Sequence, residues 1–159
     1  MNLKYIFDTQ IKLDEEISNS LINPSNVDKK RVIALLVELG EFANEVMTFK
    51  YWKKQIKINH ESMLEEFADG IHFLTSIAYR NHLNPEIPVI IKHTDFNIQL
   101  IFTYQCFTKL FKSEKKSNIK KAYGAYLGLG EIMKISYNDI IESYNKKNQK
   151  NFERIKNNY

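Results

Sequence analysis

Apolar residues recur every three or four positions along this chain, the spacing of a single helix face. Val32, Leu35, Leu36, Leu39, Ala43 and Val46 make one such stripe, and Met63, Leu64, Phe67, Ala68, Ile71, Leu74 and Ala78 make another. The pattern predicts an all-α fold: a helical bundle of about five or six helices in a single domain, residues 1–159. A first helix is expected over residues 3–20 and a second over 28–49. Asn23, Pro24, Ser25 and Asn26 form the loop between them, with Ser25 or Asn26 as N-cap. Polar residues 55–59 interrupt the pattern. Ser62 with Glu65 reads as the capping box of a third helix that runs to Arg80. Pro85 and Pro88 mark residues 81–93 as a loop before a fourth helix over 94–111. After a charged turn at 113–117, residues 118–157 read as one or two helices with a break near Gly128 and Gly130.

Composition narrows the function classes. A chain of 159 residues can bury a full core without staples, and its one cysteine, Cys106, excludes an internal disulfide framework. No long apolar leader or membrane-length run is present, so a soluble, cytoplasmic protein is expected. The net charge is +4, yet Arg31, Arg80 and Arg154 are the only arginines among the 23 basic residues. A sequence-specific nucleic-acid reader needs arginines for bidentate base contacts, so neither specific nucleic-acid binding nor membrane binding is expected. The lysines are scattered, as on solvated helix faces.

The acidic residues carry more information. Glu38, Glu41 and Glu45 fall within about 60° on the second helix, away from its apolar stripe. Glu66 and Asp69 occupy a similar arc on the third, together with Phe73. A short connection favours antiparallel packing, which would set two i,i+3 carboxylate pairs across a cleft. Such a cluster needs divalent cations to relieve like-charge repulsion, and an all-oxygen set suits Mg²⁺ or Mn²⁺. A cation of that kind beside a cleft reads as phosphoryl-transfer chemistry. Each pair taken alone is a common solvated face; two pairs on adjacent helices are more specific.

The spacing Glu38-x-x-Glu41 followed by Glu66-x-x-Asp69 resembles the all-α nucleoside triphosphate pyrophosphohydrolase superfamily. Within it, three blocks resemble the dimeric dUTPase family. They are Glu38-Leu39-Gly40-Glu41-Phe42-Ala43-Asn44-Glu45 with Phe49-Lys50-Tyr51-Trp52, then Glu66-Phe67-Ala68-Asp69-Gly70-Ile71-His72-Phe73, and the run from Tyr144 to Arg154 with Tyr159 at the end. Two positions depart from the family pattern: Asp14, where some members carry Asn, and Ile155, where Gln often follows the Arg.

The resemblance implies that Glu38, Glu41, Glu66 and Asp69 hold about two or three Mg²⁺ ions, with Mn²⁺ as a substitute. It implies hydrolysis of dUTP and dUDP to dUMP by a metal-activated water, with Glu38 or Glu41 as base, in a homodimer. It also assigns Trp52 and Phe73 to the uracil pocket and Gln10 to the base edge, where an amide offers donor and acceptor together. From residue type alone, Phe73 reads as peripheral core or as a stacking platform, and Trp52 equally as pocket wall or loop anchor.

Lys147, Asn151 and Arg154 share about 60° of one helix face, which suits a phosphate clamp as well as a solvated basic tail. His72 follows Asp69 by three, but the other histidines lack a carboxylate three residues before them, so a di-iron site is excluded and His72 reads as structural or supporting. Gly124, Gly128 and Gly130 lack the Lys-Ser/Thr ending of a P-loop and read as close helix packing, at a subunit interface for instance. Cys106 reads as a core thiol. The leading expectation is a Mg²⁺-dependent dUTP pyrophosphohydrolase. Its rivals are a relative acting on dCTP or a broad nucleotide set, and a helical interaction module without activity.

Overall fold

A computed structural model describes residues 1–20 and 26–157. It contains α1 (Lys4–Ser20), α2 (Val27–Val46), α3 (His60–Arg80), α4 (Phe96–Leu110), α5 (Lys116–Ile132) and α6 (Tyr137–Lys156). The fold is an all-α bundle in one domain. Among the described residues the one β-type contact is an isolated bridge between Asn2 and Glu86, which ties the start of the chain to the loop before α4.

Helix α3 is the axis of the bundle and packs against α1, α2, α5 and α6. Its sequence is buried on nearly every side, from Met63 through Phe67 and Ile71 to Ala78. Small residues make this possible. A Cβ on Gly70 would run into the Tyr126 ring, which instead lies 4.6 Å from the Phe67 ring and nearly parallel to it. Phe42 of α2 meets the Phe67 ring tilted, at 5.2 Å, and the Tyr126 ring edge-on, at 5.9 Å. This aromatic knot fixes α2 and α3 against α5, and so fixes the faces that carry the acids.

Several expected boundaries move. Helix α2 stops at Val46, three residues early, because Met47 adopts a left-handed conformation with φ 61° and donates its N–H to the Ala43 carbonyl. Asn26 does stand at the α2 N-cap, but left-handed with φ 58° and without a side-chain cap bond; Ser25 lies outside the described residues. The α3 cap is Asn59, whose side chain accepts from the Glu61 and Ser62 amides, so Ser62 sits inside the first turn and forms no capping box. A capping box does occur at α6, between Ser136 and Asp139.

The expected break at Gly128 and Gly130 is absent. Helix α5 runs through both, and the chain turns at residues 133–136. The glycines do serve close packing, but within the chain: the Ile90 backbone passes over Gly128, and Phe67 abuts Gly130. Cys106 is buried, and burial pushes its thiol up.

Candidate active site

The α2–α3 contact presents the acids to one side. Buried Leu39 and Phe42 turn α2 so that Glu38 and Glu41 face the cleft, and buried Phe67 and Ile71 do the same for Glu66 and Asp69 on α3. Glu38, Glu66 and Asp69 each offer one carboxylate oxygen within 4.8 Å of the others. Glu41 lines the same cleft, close enough for its charge to raise the Glu66 carboxyl.

The crowding shows in the acidities. Glu38 is pushed up to about 7, by burial first and then by Asp69, Glu41 and Glu66. Glu66 also rises to about 7, through burial, then Asp69 and Glu41. Burial raises Asp69 as well, although Lys147 opposes the shift. A three-oxygen donor set whose members resist ionising together is what a hard divalent cation satisfies, so the residues fit such an ion. His72 does not belong to the group.

Helix α6 closes one wall. Lys147 is buried, with its ammonium 2.5 Å from Asp69 Oδ2 and 3.2 Å from Glu65 Oε1. Burial works against that charge, but the hydrogen bonds and charges of Asp69 and Glu65 outweigh it and raise the lysine. Lys150 secures Glu65 from outside at 2.9 Å, which lowers that carboxyl. Asn151 and Arg154 follow on the same face, half-buried and exposed.

Helix α1 closes the opposite wall with a buried polar network. The Gln10 amide nitrogen donates to Asp14 Oδ1 at 2.7 Å. Asp14 Oδ2 accepts from Ser76, from Tyr79 at 2.8 Å and from Arg80 at 3.3 Å. Gln10 Oε1 accepts from the Tyr144 hydroxyl at 2.8 Å.

Together these walls enclose a cavity of about 780 Å³. Its lining includes Gln10, Glu38, Glu41, Glu66, Asp69, Phe73, Lys147, Asn151 and Arg154. The space suits a nucleotide-sized ligand. Trp52 stands apart. It lies beyond the end of α2, 61% exposed, edge-on to Phe49 and Tyr51, and does not line the cavity of its own chain. The early stop of α2 at Met47 sends this segment away from the cleft.

The family model dUTPase_2, described as dUTPase, matches residues 2–159. The chain belongs to the dUTPase family. It is a dUTP diphosphatase, an enzyme that hydrolyses dUTP. A search of curated proteins found no match.

This family member's cavity also takes in residues that spacing did not single out. Asp14, Ser76 and Arg80 come from α1 and α3, and Arg31 from α2, where it pairs with Asp28 at 2.7 Å. A signal for Asp14 was present: Leu3, Ile6, Phe7, Gln10, Leu13 and Asp14 follow one helical stripe, so two polar residues stand at core positions. A buried carboxylate at such a position requires partners. All three arginines of the chain line this cavity, which their scarcity beside the lysines would have made worth tracing.

Proposed function

We propose that this cavity carries out Mg²⁺-dependent hydrolysis of dUTP, and of dUDP, to dUMP. The observation that carries the reading is the convergence of Glu38, Glu66 and Asp69 oxygens within 4.8 Å, in a chain of the dUTPase family. Glu38, Glu41, Glu66 and Asp69 would hold the cation. When bound, a divalent cation supplies charge neutralisation at the phosphates and acidifies water.

The chain's own residues do the rest. Glu38 or Glu41 takes the proton of the attacking water. Arg154, Lys147 and Asn151 grip the phosphates opposite the acids; the guanidinium binds bidentately and lysine supplies a point charge. Lys147 is then shared between Asp69 and the substrate, since it already neutralises that carboxylate. Phe73, half-buried on the cavity wall, stacks on the base, and Gln10 lies beside it. The protein acts in the cytoplasm as a homodimer, a reading supported by the family resemblance. No helix among the described residues is long and apolar enough to cross a membrane.

A panel of deoxynucleotide di- and triphosphates, incubated with and without Mg²⁺ and analysed for products, tests the reading. The expected outcome is dUMP and pyrophosphate from dUTP, dUMP from dUDP, slow turnover of dCTP and dTTP, and no turnover in chelator. Comparable kcat/KM for dCTP and dUTP would contradict it.

A further inference from the structure

Lys147 borders two spaces. It lines the cavity that holds the acids, and it also lines a groove of about 770 Å³ between the start of α3 and α6. Glu65 lines that groove and not the cavity. The Lys147 ammonium touches a carboxylate on each side: Asp69 Oδ2 in the cavity at 2.5 Å, and Glu65 Oε1 in the groove at 3.2 Å. Its side chain is only 10% exposed, so water cannot take over from a lost partner. Lys150 reaches the same Glu65 oxygen at 2.9 Å, from a side chain that is 53% exposed.

The Asp69 contact conflicts with a cation in the cavity. Asp69 offers an oxygen to the convergent group with Glu38 and Glu66. A divalent cation held there repels an ammonium on the same carboxylate, and one carboxylate cannot neutralise both. Lys147 cannot be left unpaired either, because a buried charge that loses its partner is strongly destabilising. It needs a second carboxylate that does not hold the cation. Glu65 meets that need: it precedes Glu66 in sequence, lies outside the cavity and is already in contact with the ammonium. A flexible four-carbon stem and three rotatable donors let lysine change partners without moving a helix. Lys150 does not block the exchange, since an exposed ion pair is weak. We propose that Glu65 is a positioning residue: it receives the Lys147 ammonium when a divalent cation takes Asp69, and so admits the cation without leaving a buried lysine unpaired. The inference rests on the cation reading of this cavity. It adds a residue outside the acid cluster that sets how tightly the cation binds before nucleotide arrives, and that keeps Lys147 at the cavity wall.

Calorimetric titration of the full-length protein with Mg²⁺ alone, without nucleotide, tests this as a double-mutant cycle. Glu65→Gln keeps an acceptor but removes the charge, so Lys147 stays with Asp69 and competes with the cation; the Mg²⁺ Kd is expected to rise about 10-fold. In Lys147→Gln there is no ammonium to relocate, and adding Glu65→Gln is expected to change Kd by less than about 2-fold. An unchanged Kd in Glu65→Gln would overturn the proposal. So would an equal rise in both backgrounds, which marks a diffuse charge effect or a general loosening of the fold. A second measurement decides the matter even where Lys147→Gln does not fold. In ¹H–¹⁵N spectra of the wild-type lysine ammonium groups, Mg²⁺ is expected to shift Lys147 Nζ while its protons stay slow to exchange with water. A Lys147 resonance that saturating Mg²⁺ leaves unmoved contradicts the change of partner. Wild-type protein that binds no Mg²⁺ overturns the cation reading and this proposal with it, whereas Mg²⁺ binding without the cycle effect overturns this proposal alone.

Discussion

The carboxylate cluster costs the folded protein stability when no cation balances it. Glu38 and Glu66 titrate near 7 in the folded chain and near their ordinary 4.5 in the unfolded one, so between those values the folded state binds more protons. Their contribution is therefore neutral below about pH 4.5 and increasingly destabilising up to about pH 7, beyond which it is constant. Glu65 and Asp139 have lowered values, so their stabilisation is lost at more acidic pH and does not mask this window. In chelator, the melting temperature of wild type relative to Glu38→Gln should fall between pH 5 and pH 8. A difference that stays flat across that range would remove the electrostatic picture of the cluster. At the other wall, Arg154 tests the clamp. A guanidinium grips two phosphate oxygens at once and an ammonium does not. Arg154→Lys should therefore lose kcat/KM nearly as far as Arg154→Ala, by roughly 10²-fold, with Mg²⁺ affinity in the absence of nucleotide little changed. Near-normal kcat/KM in Arg154→Ala would reduce this end of α6 to a solvated face.

At the scale of elements, the bundle depends on how closely α3 and α5 approach. Gly70→Ala places a methyl where the Tyr126 ring lies, and that ring is locked between Phe67, Phe42 and Phe107. The substitution should destabilise by about 1–3 kcal/mol, despite alanine's better helix propensity. At about 2–4 °C per kcal/mol the change is measurable by thermal melting. An unchanged or raised melting temperature would mean that the approach is looser than described. The same contacts explain what was legible in the sequence. The six helices follow from apolar periodicity, which tertiary packing reinforces. The glycines at 128 and 130 suggested a break because isolated glycine weakens a helix, yet Ile90 and Phe67 fill the space that they leave. The end of α2 was not legible, because Met47 takes a left-handed conformation that methionine rarely adopts. Within the site, the i,i+3 carboxylates could be read locally. The Asp14 network could not, because its partners Ser76, Tyr79 and Arg80 are 62 to 66 positions away.

Across the whole molecule, four helices supply three kinds of group to one cavity: acids from α2 and α3, cations from α2, α3 and α6, and a polar network from α1. The acids face a set of Arg31, Arg80, Lys147 and Arg154, so the cavity is charged on both sides rather than acidic throughout. A divalent cation that binds this arrangement and not the unfolded chain raises stability by mass action. Millimolar Mg²⁺ should therefore raise the melting temperature of wild type, and raise it more at pH 8 than at pH 5, where protons compete for the same oxygens. Asp69→Asn should lose most of that response.

The most direct test of the account is hydrolysis of dUTP in millimolar Mg²⁺ by wild type and by Glu66→Gln, with dUMP and pyrophosphate quantified. Glu66 contributes an oxygen to the convergent group and lies against Glu41, while its neighbour Phe67 carries the packing. The account predicts stoichiometric dUMP and pyrophosphate from the wild type, and turnover reduced by about 10³-fold or more in a variant that still folds. Wild-type rates in folded Glu66→Gln would contradict it.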